Sequence, residues 1–215
     1  MRPIYETINV AVDSSFKVAI YNHTKTCETT NWHIHPEYEL VYIKNGSGVL
    51  RLGNKKIPYN NGALLFLGPN IPHADFGNKE LEDNLEVVIQ FGKEFVEEKI
   101  QVFPEFKNIK KMILSSDRIL IFNRSVKKEL SVLFESLEAS NKTKRLVNFI
   151  FILNHLTNTS SCTKLFTNAI PTSTKAVEVN RLESIFEYVN KHYKEHISSQ
   201  DLASHLGLTT NSFCR

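Results

Sequence analysis

Asn31-Trp32-His33-Ile34-His35-Pro36-Glu37-Tyr38-Glu39-Leu40-Val41-Tyr42-Ile43, followed by Lys44-Asn45-Gly46-Ser47-Gly48, is the stretch that most narrows what this chain can fold into. Side chains alternate between faces along an extended chain, so His33 and His35 point the same way and Glu39, a few residues on, can rejoin them. Farther along, Gly62-Ala63-Leu64-Leu65-Phe66-Leu67-Gly68-Pro69-Asn70-Ile71-Pro72-His73 is an apolar strand ending in a turn that delivers His73. Two strands of one small barrel bring the segments face to face. Three imidazoles and a carboxylate suit borderline divalent metals such as Zn, Fe, Mn or Ni. The same four groups, hydrogen-bonded to each other, also make a polar floor for a small ligand. Trp32, Tyr38, Tyr42 and Phe66 are candidates to line such a pocket, although aromatics on strands equally serve as core.

The order His-x-His, Glu, Gly, then Gly, an apolar strand, a Pro/Asn turn and His resembles the two cupin motifs. Gly68 stands where cupins commonly have Pro, and Asn70 where they have Gly. Asn tolerates a left-handed backbone best after Gly, so the turn at Asn70 survives the change. His35-Pro36-Glu37-Tyr38-Glu39-Leu40 and Leu67-Gly68-Pro69-Asn70-Ile71-Pro72-His73 further resemble the sensor half of AraC-type bacterial transcription regulators. That resemblance implies a cupin-like, jelly-roll type β-barrel that binds an effector, a carbohydrate being one candidate, through His33, His35, Glu39, His73, Trp32 and Tyr38. A divalent metal on His33, His35, Glu39 and His73 is the other candidate occupant.

The chain of 215 residues holds one large or two small domains. With 41% hydrophobic and 23% charged residues, it has the composition of an ordinary globular protein. Cys27, Cys162 and Cys214 are odd in number, far apart and in no ligand spacing, which points to a reducing compartment without disulfides. Met1-Arg2-Pro3-Ile4 leads into a mixed polar segment, and no run approaches the roughly 20 apolar residues of a membrane span. A cytoplasmic protein with no membrane partner is expected. A net charge of +3 is too small to imply nucleic acid by itself.

Residues 1–92 read as short strands punctuated by Asn45-Gly46, Gly53-Asn54 and Asn60-Asn61-Gly62. From 93 to 156 the period becomes helical. Val126, Leu130, Leu133, Phe134 and Leu137 form one amphipathic face after an Asn123/Ser125 cap. Leu146-Val147-Asn148-Phe149-Ile150-Phe151-Ile152-Leu153 is apolar almost all round, so it is either wrapped by its own domain or pressed against a second copy; the resemblance to AraC-type sensors favours a homodimer. Lys127, Lys128, Lys142, Lys144 and Arg145 read as a solvated helix face. Residues 157–177, rich in Ser, Thr and Asn, read as a linker.

Beyond the linker, Leu182, Ile185, Phe186, Val189 and Tyr193 mark an amphipathic helix. Ser198 and Asp201 then offer a capping box, Gly207 a left-handed stop, and Thr209 the cap of a further helix. Helix, Gly turn, helix, with small Ala203 at the crossing, is the pattern of a helix-turn-helix. Residues 197–215 resemble the first of the two such units of AraC-type regulators, which makes 178–215 a partial all-α DNA-binding domain. Because a complete family member finishes the recognition helix and adds a connecting helix and a second unit, a C-terminally truncated form is expected. By the same resemblance Asn211, Cys214 and Arg215 face the major groove. Arg is the natural reader of guanine and Asn can read adenine. Four Lys/Arg against five Asp/Glu from 178 to 215 make no basic patch, so weak DNA binding is expected of this piece alone.

The implied function is a ligand-responsive, sequence-specific transcription regulator of promoter DNA rather than an enzyme. The alternative is a metal-dependent cupin enzyme, an isomerase or dioxygenase, which would have no use for residues 197–215.

Overall fold

The computed structural model describes residues 3–22, 32–74, 81–115, 118–166, 181, 184–185, 188–189, 191–193 and 195–215. Its strands are β1 (Ile4–Tyr5), β2 (Lys17–Asn22), β3 (His33–Ile34), β4 (Tyr38–Ile43), β5 (Ser47–Leu52), β6 (Lys55–Asn60), β7 (Ala63–Leu67), β8 (Leu85–Phe91), β9 (Arg118–Phe122) and β10 (Cys162–Phe166). Six of them form an antiparallel sheet of order β10-β9-β7-β4-β8-β2. A second layer combines the β5–β6 hairpin with the parallel pair β1–β3, joined through bridges from His73 to His33 and to Leu52.

All six side chains of β4 are buried, as a strand covered on both faces requires. Tyr38, Leu40 and Tyr42 face one core, shared with Leu64 and Phe66 of β7 and Val87, Ile89 and Phe91 of β8. Val41 and Ile43 face the other, with Leu50, Leu52, Leu65, Leu67 and Val88, between the two sheets. The first core is closed by three helices, α1 (Lys107–Leu114), α2 (Arg124–Glu135) and α3 (Lys142–Thr157), preceded by short helical turns at Phe95–Lys99, Ile100–Val102 and Pro104–Phe106. Asn123 caps α2 by accepting from Val126 N, and Asn141 caps α3 by accepting from Lys144 N. The predicted left-handed turn at Asn70 is present, with φ 57°.

Three sequence expectations change. The segment 93–156 is not purely helical, because β9 pairs with β7 inside it, and the first part of the expected linker 157–177 forms β10 against β9. Both strands have five residues, too few for periodicity to separate them from helix or loop, and tertiary pairing decides them. The expected linker residues 167–177 lie outside the described residues, as does Cys27. The chain divides into two compact units, Met1–Ala169 and Ile170–Arg215. Lys127 is not on a solvated face; it is buried, and its Nζ donates to the carbonyl oxygens of Lys44 (2.6 Å) and Asn61 (2.5 Å). Burial, with Arg124 nearby, lowers its pKa.

The helix at 146–153 is divided between the two options the sequence left open: Phe149, Ile152 and Leu153 are in the core, while Val147 (61%) and Phe151 (59%) are exposed. Among the described residues no helix is long and apolar enough to cross a membrane.

In the second unit, α4 (Ser199–His205) opens on the expected capping box: Asp201 N donates to Ser198 Oγ, and Ser198 N to Asp201 Oδ2. Gly207 follows at φ 66°, and Leu208 N donates to Ala203 O, closing the helix. Thr209 caps α5 (Thr210–Phe213), accepting from Ser212 N. Ala203 is buried here. Leu182 and Phe186 of the expected preceding helix lie outside the described residues.

Candidate functional site

Alternation along β4 puts Glu39 on the same face as Val41 and Ile43, between the two sheets, at the end where β3 and the turn after β7 bring in the histidines. His33, His35, Glu39 and His73 are all buried. His35 Nε2 lies 3.0 Å from Glu39 Oε2 and His73 Nε2 3.4 Å from Glu39 Oε1. His73 Nδ1 lies 2.7 Å from Ile71 O and donates there, which turns Nε2 toward the cluster. Gln90 Nε2 donates to Glu39 Oε2 at 2.8 Å from the neighbouring strand β8. On the outer side, His33 Nε2 is 3.4 Å from Glu6 Oε2, carried in by β1, and His35 Nδ1 is 3.5 Å from Glu37 Oε2.

These charges set each other's protonation. Burial pushes the Glu39 carboxyl up, but His73 and His35 outweigh it and hold the group well below the usual carboxylate range. For His35, burial lowers the pKa, and the hydrogen bond and charge of Glu39, with Glu37 and Glu6 behind it, raise it above the ordinary histidine value. A buried ion pair of this kind is favoured only where further hydrogen bonds satisfy it, and Gln90 supplies one.

The donor set fits a divalent metal. One nitrogen from each of His33, His35 and His73 lies within 4.8 Å of the others. Imidazole nitrogens converging in this way are ligands that borderline divalent metals take. Glu39 is not part of the three-histidine group itself; it flanks the group on the side of His35 and His73, while Glu6 flanks it beside His33.

Of the other residues expected at the site, Tyr38 is on the opposite face of β4. Its ring stacks on Phe66 (6.0 Å) and Phe91 (5.4 Å) in the helix-side core, so it is core and does not meet the histidines. Tyr42 and Phe66 face the same way, and Tyr42 Oη donates to Glu135 of α2. Trp32 is half-buried at the end of β3, and its carbonyl accepts from Ile4 N. Asn211 is exposed on α5, and Cys214 and Arg215 are exposed just after it. Sequence reasoning missed Gln90, Glu37 and Glu6. Gln90 had a signal, a polar residue in the apolar run Leu85–Phe91 on the face of Val88. Glu6 had none, since only the tertiary pairing of β1 with β3 brings it near.

Residues 18–75 match the family model of the AraC-like ligand binding domain. No curated protein matches the chain. Among solved structures, apo ToxT K231A from Vibrio cholerae strain SCE256 is 13% identical, with 92% of this chain and 72% of that one covered and a TM-score of 0.42. The AraC-like transcriptional activator CuxR is 8% identical, over 90% of this chain and 64% of that one, at 0.40. A Streptomyces albus HEPD with 2-hydroxyethylphosphonate and Fe(II) bound is 11% identical, over 95% and 41%, at 0.29. The likeness to these structures is weak; the match over residues 18–75 spans β2 to β7 and takes in all four clustered side chains, His33, His35, Glu39 and His73. Within the sheet domain, residues 18–75 are similar to the AraC-like ligand binding domain.

Proposed function

We propose that the protein is a ligand-responsive, sequence-specific DNA-binding transcription regulator of AraC type. In this reading a small effector binds in the cupin-like barrel, α2 and α3 pair two copies, and the helix-turn-helix of α4 and α5 reads promoter DNA through Asn211, Cys214 and Arg215. The observation that carries it is the buried polar cluster of His33, His35, Glu39, His73 and Gln90 inside a domain matched as ligand-binding. Polar groups at such depth cost several kcal/mol each, roughly 2–7, unless they are paired, and a stable core alone does not need them. His33, His35 and His73, with Glu39 beside them, would hold a divalent metal, which when bound supplies a positive centre for an effector's oxygen atoms. An effector acts only through different affinities for two arrangements of sensor and reader.

The same three histidines favour a second reading, a metal-dependent isomerase or dioxygenase. Mobility-shift titrations decide between the two, using protein expressed from its complete reading frame and the DNA upstream of its own gene. A sequence-specific shift is expected, with Arg215→Ala costing about 1–3 kcal/mol at one base position if it reads a guanine. Absence of any specific complex would overturn the regulator reading and leave the enzyme.

A further inference from the structure

Glu37 follows His35 by two positions, and on a straight strand their α-carbons would lie about 7 Å apart with both side chains on one face. Pro36, whose ring fixes φ, stands between them in the connection from β3 to β4, and the chain bends at Pro36 and Glu37. The bend turns the Glu37 side chain back, so that its Oε2 lies 3.5 Å from His35 Nδ1. Both atoms are buried, although the Glu37 side chain as a whole keeps 17% exposure. Water is thus within reach of the side chain, and still one carboxylate oxygen is turned inward, which is costly unless a donor meets it there.

The other candidate ligands are held from behind in the same way. His73 Nδ1 meets Ile71 O at 2.7 Å, Gln90 Nε2 donates to Glu39 Oε2 at 2.8 Å, and Glu6 Oε2 is 3.4 Å from His33 Nε2. Histidines that ligate metals almost always donate their other ring N–H to a carboxylate or a carbonyl, which orients the ring and raises its basicity. His35 presents Nε2 to the cluster, 3.0 Å from Glu39 Oε2, and its Nδ1 is buried without a hydrogen bond. An imidazole that gives one nitrogen to a metal carries its hydrogen on the other, and a buried N–H left without an acceptor is destabilising. Glu37 is placed to be that acceptor.

We propose that Glu37 is a positioning residue for metal binding: it accepts the Nδ1 hydrogen of His35 and so presents Nε2 to a divalent cation held with His33 and His73. The inference rests on the metal reading of the histidine cluster and adds to it a carboxylate that is not itself a ligand. Glu39 and Glu37 then serve opposite sides of one ring, the first on the side of the cluster and the second behind it.

Co²⁺ and Zn²⁺ are the probes, Co²⁺ followed by its visible ligand-field absorption and Zn²⁺ by its displacement of Co²⁺. Glu37→Leu, which has no acceptor, is expected to weaken Zn²⁺ binding about 10–100-fold and to shift the absorption at saturating Co²⁺. Glu37→Gln keeps an acceptor oxygen and should fall between Leu and wild type; it also replaces Glu37→Leu in the comparison if the leucine disturbs folding. His35→Ala removes the ring through which Glu37 acts, so adding Glu37→Leu to it should weaken the residual Zn²⁺ binding no further. Losses that add in the double variant would mean that Glu37 does not act through His35, and the proposal would be overturned. Wild-type Zn²⁺ affinity in Glu37→Leu overturns it as well, while leaving the metal reading in place. Wild-type protein that binds neither ion removes both.

Discussion

Lys127 Nζ, on α2, donates to the carbonyl oxygen of Asn61 at 2.5 Å, and to that of Lys44 at 2.6 Å, so one buried ammonium group joins the first turn of α2 to two turns at the end of the sheet domain. Gly62 makes room for it. At φ 75°, a Cβ there would meet the carbonyl oxygens of Ile43 and Lys44 and would lie 2.5 Å from Lys127 Nζ.

Removing the ammonium leaves carbonyls in a buried site without their donor. Lys127→Met is therefore expected to destabilise the sensor unit by about 1–3 kcal/mol in urea unfolding. Gly62→Ala should cost at least as much, since it combines a left-handed backbone with steric overlap. Wild-type midpoints for either variant would show that the lysine is not a structural joint.

Phe149 and Phe151 differ by two positions and by everything that surrounds them. Phe149 is fully buried against Phe16, Phe91 and Phe95, whereas Phe151 shares the exposed face of α3 with Val147, and α2 also exposes Val132. If α3 pairs two copies, Phe151→Glu should give a folded monomer in sedimentation experiments. Phe149→Glu should unfold the domain, because it buries a charge. A wild-type protein that sediments as a monomer at micromolar concentration would end the dimer reading.

The Glu39–His35 pair makes stability depend on pH from both sides. The Glu39 pKa is depressed, so its contribution is full above the unfolded carboxylate value, about 4.3, and is lost as pH falls through the lower folded value. The His35 pKa is raised, so its contribution is full below the unfolded value, about 6.5, and is lost as pH rises through the higher folded value. Metal-free protein should thus gain most from the pair between about pH 4.3 and 6.5. Glu39→Gln should flatten both limbs of a melting-temperature profile and cost about 1.5–3 kcal/mol within that window. A profile in Glu39→Gln parallel to wild type would refute the pairing.

Metal occupancy of the three histidines has a direct measurement. Protein prepared without chelators is expected to retain near-stoichiometric divalent metal by elemental analysis. His35→Ala should lose most of it, and Tyr38→Phe, altered on the far face of β4, should keep it. Added metal at 100 times its Kd should stabilise the wild type by about 2.7 kcal/mol. A wild-type preparation free of metal would leave the cluster as a floor for an organic effector.

What the sequence determined by itself was local. The spacing of His33, His35 and Glu39, the left-handed turn at Asn70, the capping box of Ser198 with Asp201 and the stop at Gly207 all follow from neighbours within a few residues, where backbone sterics and side-chain reach leave little choice. Even the placement of Tyr38 was legible, since strict alternation from Glu39 sends it to the other face of β4. Only the tertiary structure decided the rest. Pairing of β9 with β7 and of β10 with β9 turned ambiguous five-residue segments into strands. Packing of α3 on the sheet separated Phe149 from Phe151 in a run whose hydrophobicity is the same all round. The partners of the histidines came from β1 and β8, and the partners of Lys127 from turns far away in the chain, because burial makes each charge depend on whichever polar groups the fold brings within about 3 Å.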